Sequence, residues 1–177
     1  MVDGMMKSCN PYFIHLGQLA GGEKLLKMAE RFGFGDRVTL SEGMTVYGGK
    51  LVTPKLVLGT TSDGRTLTRS PDTPAVQILP EGIAAQLQSF LIHCVMVEEG
   101  QNALPKNGTA GGKTATAQTG RFREDGTERE HGWFAGFFPA VNPRYVITVL
   151  AEDAGFGNKT AAPVFAAITE QLLELGY

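Results

Sequence analysis

The chain has 177 residues, 42% hydrophobic and 19% charged, with a formal net charge of −2. That length and balance suit one folded, soluble domain with a real hydrophobic core and exclude a disordered chain. Charges of both signs are mixed and no basic block occurs, which argues against nucleic acid as a partner. No apolar run approaches the ~20 residues of a membrane span.

Residues 1–7 lack an apolar stretch followed by small residues, so they do not read as a signal peptide. Ser8-Cys9-Asn10-Pro11 then precedes a helical spacing of Tyr12, Leu16 and Leu19. Ser and Asn before a helix are preferred caps, and a capping role stands as one reading of this segment. A second helix is expected with Leu25, Leu26, Ala29 and Phe32 on one face, closed by Gly33. Residues 33–80 are rich in Gly, Thr, Pro and Asp, with short β-like runs such as Leu56-Val57-Leu58, and read as loops with minor strands.

Pro80-Glu81 opens the clearest helix, over 81–98, with Ile83, Leu87, Phe90, Cys94 and Val97 recurring at three and four. Three strands should follow. Residues 113–120 are Thr-rich, 131–138 are aromatic, and 144–151 are almost wholly apolar. Asp125-Gly126 is a hairpin signal between the first two, and Asn142-Pro143 makes the next tight connection. Strands apolar on both faces need cover on both sides, so the expected class is an α/β (α+β) fold with an antiparallel sheet between helical layers. A last helix, 160–175, offers Ala161, Phe165, Ile168, Leu172 and Leu175 to that sheet, with Gly176 at its stop. Cys9 and Cys94 form no CxxC pair and are expected as free thiols. His15, His93 and His131 share no metal-ligand spacing, so no metal or other cofactor is implied.

Chemistry concentrates around Lys113. Asn107 to Thr114 is one glycine short of a phosphate-binding loop, which makes a nucleotide-binding protein using Gly111-Gly112-Lys113-Thr114 the rival reading. Its context argues against it. Such a loop follows a buried strand and opens a helix, whereas residues 101–106 are polar with Pro105 and residues 114–120 favour a strand. On a strand, Lys113, Ala115 and Ala117 share one face and Thr114 and Thr116 the other. A small residue at 115 would let an extended peptide lie beside the strand, with Lys113 and threonine hydroxyls available to a carboxylate. The plain alternative is a solvated Lys in a Gly-rich turn.

Taken together, SCNPYFIHLG (8–17), FGFG (32–35), GGKLVTPKLV (48–57), AGGKTATAQTG (110–120), HGWFAGFFPA (131–140) and the Ala161-Ala162-Pro163 helix start resemble the transpeptidase domain of class B penicillin-binding proteins. That family shares a Ser-x-x-Lys, Ser-x-Asn and Lys-Thr-Gly motif set with the serine β-lactamases. The resemblance implies the C-terminal half of a transpeptidase-like fold. It also implies a peptidoglycan-crosslinking D,D-transpeptidase whose complete form binds stem peptide or β-lactam, with no cofactor, at the extracytoplasmic face of the bacterial membrane. Export and anchoring signals would then lie upstream.

Departures are as informative. No serine here starts a Ser-x-x-Lys: Ser8, Ser41, Ser62, Ser70 and Ser89 are followed three positions on by Pro11, Met44, Arg65, Thr73 and Ile92. The chain is therefore expected to be a partial domain without its nucleophile, and inactive alone. A Gly-Gln-Gly and Thr-Pro-Leu-Gln segment usual in the family has no counterpart within residues 36–47, and Ala115 stands where Gly is usual. By resemblance, Ser8 would relay a proton and Asn10 would bond the substrate amide. Lys113 and Thr114 would hold the electrostatics. The Thr116 hydroxyl would meet the terminal carboxylate, its N–H forming half of an oxyanion hole beside the small Ala115. In the family's sheet, strand 144–151 pairs with an N-terminal strand that these residues do not contain, so homo-oligomerisation through its free side is expected.

Overall fold

The computed structural model describes residues 9–32, 48–51, 59–69, 71 and 74–176. Ser8, Gly33 and the Leu56-Val57-Leu58 run lie outside them, as do most of the 32–35 segment and the whole 36–47 interval. Two compact units are present, residues 13–85 in one and residues 1–12 with 86–177 in the other.

The first unit is built from local pairings. Helix α1 (Asn10–Ala20) leads into helix α2 (Gly22–Arg31), with Gly21 at φ 81 turning the chain between them. Strand β1 (Lys50–Leu51) pairs antiparallel with β4 (Val76–Gln77), and β2 (Gly59–Thr60) with β3 (Thr68–Arg69). The β2–β3 turn closes on Asp63, which accepts the Arg65 and Thr66 N–H groups and both threonine hydroxyls of Thr61 and Thr66. Those donors hold the Asp63 carboxyl far below the usual carboxylate range. Arg31 donates to the Ile78 carbonyl, tying α2 to the end of β4.

In the second unit, β5 (Gly111–Phe122), β6 (Glu128–Phe138) and β7 (Tyr145–Ala151) form an antiparallel sheet in the order β5-β6-β7. The expected strands are all present, and β5 and β6 extend beyond their predicted ends. At the hairpin, Thr127 donates its N–H and hydroxyl to Asp125, lowering that carboxyl's pKa, and Gly126 takes φ 82. A bulge between Gln118 and Phe122 surrounds Gly120 at φ 69.

Helix α3 (Glu81–Val97) and the 3-10 turn Gln101–Ala103 precede the sheet, and α4 (Ala161–Glu174) follows it, packing on β6, β7 and the 3-10 turn. The core joins Val95, Ala103, Ala110, Phe134, Phe138, Ala162 and Phe165, with the Phe134 and Phe165 rings 4.6 Å apart. This is the mixed helix and antiparallel-sheet class expected from the sequence. The even-numbered residues of β6 face α4, whereas Ala135 and the β7 residues Val146 and Leu150 are exposed on the opposite face.

Both long helices bury the middle of the expected face and leave other members of it in water. In α3, Cys94 is buried and Leu87 and Phe90 half-buried as expected, whereas Ile83 and Val97 stay exposed and Ala84 and Val95 are buried in addition. In α4 the expected Ala161 and Phe165 are buried and Leu172 packs against the core, whereas Ile168 and Leu175 are exposed and Ala162 and Thr169 are buried in addition. Thr169 is accommodated because its hydroxyl donates to the Phe165 and Ala166 carbonyls. Apolar residues surround much of α4, so their period left several faces open, and packing on Phe134 selected one.

Replacing Phe165 by Ala should lower the unfolding free energy of this unit by about 3–5 kcal/mol, since it removes a ring from a closed core. Chemical denaturation measures this, and a loss below about 1 kcal/mol would show that α4 is not seated on β6.

Candidate functional site

Strand β5 leaves the core at its first residues and reaches solvent within a few positions. Gly111 and Gly112 are buried, Lys113 and Thr114 half-buried, and Ala115 to Gln118 exposed. A Cβ on Gly111 would sit 2.2 Å from the Phe137 ring, and one on Gly112 2.6 Å from the Phe134 ring. The double glycine is therefore a clearance device that lets β5 pass between one ring on each face of the sheet.

That geometry overturns the nucleotide-binding alternative. A phosphate loop needs a helix opening after Lys113, and here an extended strand runs from Gly111 to Phe122. The glycines face ring carbons where a phosphate cradle would need open backbone N–H groups.

The β5–β6 register sets Lys113 against Ala135, Ala115 against Trp133, and Thr116 against Gly132. Lys113 and Ala115 thus share one face with Trp133, and Thr114 and Thr116 share the α4 face with Phe134. The Lys113 ammonium lies 3.5 Å from both the carbonyl and the hydroxyl oxygen of its neighbour Thr114. Burial pushes the Cys94 thiol of α3 upward, and the Lys113 charge pulls against that shift. Cys9 and Cys94 are free thiols.

Asn10 is the exposed first residue of α1, so it stands at the helix start that the capping reading anticipated. The structure brings Lys113, Thr114, Ala115 and Thr116 together on one strand. Asn10 sits apart from it in sequence, and Ser8 lies outside the described residues.

One segment was not anticipated. After β7 the chain turns at Asp153, whose φ is 52, and runs back over β6 towards β5. Asp153 accepts Arg129 at 2.8 Å and donates its N–H to His131 Nδ1 at 3.0 Å, while Gly155 N–H donates to the Glu130 carbonyl at 3.0 Å. The segment then places the Gly157 N–H 3.4 Å from the Thr116 hydroxyl oxygen. Its only sequence signal was a pair of glycines, at 155 and 157, following an apolar strand.

Among the described residues, no group of three or more His, Cys, Asp or Glu side chains is placed to hold a metal, and no helix is long and apolar enough to cross a membrane.

Comparison with known proteins places this strand in context. A family described as "Penicillin binding protein transpeptidase domain" matches residues 43–170. Stage V sporulation protein D of Bacillus subtilis is 29% identical over 221 aligned positions, which take in 97% of this chain and 34% of that protein. Peptidoglycan D,D-transpeptidase PbpA of Mycobacterium tuberculosis is 25% identical over 219 positions, covering 97% of this chain and 43% of its own length. The chain thus spans between a third and a half of these curated relatives. Alignments longer than the chain's 177 residues mean that the relatives carry segments it lacks within the matched region.

Among solved structures, the D,D-transpeptidase domain of a peptidoglycan glycosyltransferase from Eggerthella lenta superposes with a TM-score of 0.80 at 20% identity, over 99% of this chain and 54% of that one. Penicillin-binding protein 3 of Mycobacterium tuberculosis in complex with ampicillin gives 0.77 at 21% identity, over 99% and 51%. With the family matched across most of its length and the fold shared, the chain belongs to the penicillin-binding protein transpeptidase domain family.

Proposed function

We propose that this chain is the substrate-holding part of a peptidoglycan D,D-transpeptidase domain, a partial domain that cross-links stem peptides and binds β-lactams only when joined to a Ser-x-x-Lys nucleophile. The observation that carries the reading is β5 itself, an edge strand that rises from the core at Gly112 and exposes Ala115 to Gln118. An extended peptide can lie against such an edge by main-chain hydrogen bonds. Relatives named as peptidoglycan D,D-transpeptidases, and a structural neighbour bound to ampicillin, support the substrate class.

Each residue then has a task that its chemistry suits. Lys113 supplies a cationic field beside the strand, steadied by the Thr114 oxygens. The Thr116 hydroxyl bonds the terminal carboxylate of a D-alanyl peptide or β-lactam, and its N–H contributes half of an oxyanion hole. Ala115 keeps the strand edge low enough for the ligand to approach. Asn10, at the head of α1, bonds the ligand amide, and Ser8 relays the proton toward the leaving amine. The parent protein would work at the extracytoplasmic face of the bacterial membrane, where peptidoglycan is assembled.

Two measurements test this. Purified 177-residue chain incubated with labelled penicillin should form no covalent adduct, because no serine has a lysine one helical turn later to act as its base. A stoichiometric acyl-enzyme mapped to any of its serines would overturn the assignment. Non-covalent binding of an acyl-D-Ala-D-Ala peptide should weaken about tenfold or more in Lys113→Ala, the scale of a lost charge-assisted hydrogen bond. Unchanged affinity by calorimetry would remove Lys113 from the site.

The isolated chain should also self-associate through β7. That strand ends the sheet among the described residues, and its Val146 and Leu150 are exposed on the face turned away from α4. An apolar edge with unpaired N–H and C=O groups invites a second strand. Sedimentation should show mass rising with concentration. A concentration-independent monomer whose 145–151 amides exchange freely would show that nothing covers this edge.

A further inference from the structure

Thr116 is exposed on the strand edge, yet its hydroxyl is engaged from behind. The Gly157 N–H donates to Oγ1 at 3.4 Å, the long end of hydrogen-bond range. What gives the contact weight is how firmly Gly157 is held. Its carbonyl accepts the Ala161 and Ala162 N–H groups at 3.0 and 2.9 Å, fastening the peptide to the start of α4. On either side, Gly155 donates to Glu130 on β6, and the Asn158 carbonyl accepts Asn102 Nδ2 at 2.8 Å.

Two glycines make room for this approach. A Cβ on Gly157 would lie 2.3 Å from the Trp133 carbonyl oxygen and 2.4 Å from that of Ala115. Both are backbone atoms of paired strands and cannot swing aside. A Cβ on Gly132, opposite Thr116 in register, would lie 2.2 Å from Thr160 Oγ1 and 2.8 Å from the Gly155 carbonyl oxygen. The 155–160 segment therefore lies directly on the backbone of β5 and β6.

We infer that Gly157 is a positioning residue for Thr116, turning its hydroxyl so that the O–H donates to a ligand carboxylate at the β5 edge. A hydroxyl has one hydrogen to give and two lone pairs. With Gly157 donating into one lone pair, the Thr116 hydrogen is left to point outward, and the incoming N–H polarises it as a donor. The inference rests on the proposed reading of β5 as the holder of a D-alanyl carboxylate, and adds to it a second segment of chain that sets carboxylate selectivity.

The test compares an acyl-D-Ala-D-Ala peptide as its free acid and as its C-terminal amide, using the full 177-residue chain. The unmodified chain should prefer the acid. Gly157→Ala should lose about tenfold of that preference, read as the acid-to-amide affinity ratio, a hydrogen-bond-sized effect. Folded Gly157→Ala with the acid-to-amide ratio intact would overturn the inference.

Should that variant not fold, Thr116→Val and Thr116→Ser decide. The Gly157 amide should exchange faster in Thr116→Val, and Thr116→Ser should restore both its protection and the acid preference. Equal exchange in Thr116→Val and the unmodified chain would refute the link. If the unmodified chain binds neither peptide, the substrate reading fails by itself. Gly157 exchange in Thr116→Val then still reports on the link, with faster exchange supporting it and unchanged exchange refuting it.

Discussion

A side chain at position 111 or 112 would collide with an aromatic ring, and the geometry of the second unit follows from the absence of one. Phe134 and Phe138 are held between the strands and α4, with Phe165 packed on Phe134 at 4.6 Å. Interiors packed this closely leave no slack for an added methyl group. Because Gly112 clears Phe134 and Gly111 clears Phe137 on the other face, β5 pairs with β6 from its first residue and carries Lys113 out of the core. The register that results, Ala115 to Trp133 and Thr116 to Gly132, decides which hydroxyls face α4 and which side chains face the other way.

Among the described residues the sheet has two unlike edges. Along β5 the outward positions are Ala, Thr and Gln, small or hydroxylated residues that tolerate both water and a visiting peptide. Along β7, Val146 and Leu150 stand exposed at 52% and 42%, a surface poorly suited to remaining in water. An open edge is a liability unless something uses or covers it. The first edge is thus polar, whereas the face beside the second is apolar.

Between these edges, the 153–160 segment ties the site to the rest of the unit. Asp153 adopts a left-handed turn that would be costly alone. It is secured by Arg129, by the His131 ring, and by Arg123, which donates to its carbonyl at 2.9 Å. From there the chain reaches Gly157, whose N–H faces β5 and whose carbonyl caps the start of α4. Strand, return segment and helix are thereby joined at one residue, so a disturbance of α4's first turn would be felt at Thr116.

Local chemistry was enough to place the elements and their kinds. The three- and four-residue spacing of 81–98, the alternating threonines after Lys113, and Asp125-Gly126 each act within a few residues, and each formed as read. A strand at Lys113 was legible for the same reason, whereas the clearance that Gly111 and Gly112 give to Phe137 and Phe134 was not. Faces and distant neighbours were not legible. Ile168 and Leu175 matched the apolar period of α4 as well as Phe165 did, and only contact with Phe134 buried one and left the others in water. Gly157 and Thr116 are 41 residues apart, and nothing in either neighbourhood announces the other. Periodicity and turn propensity depend on covalent neighbours, so the sequence by itself determined them. Which residues meet across the chain depends on how the rings and strands pack, and only the tertiary structure decided that.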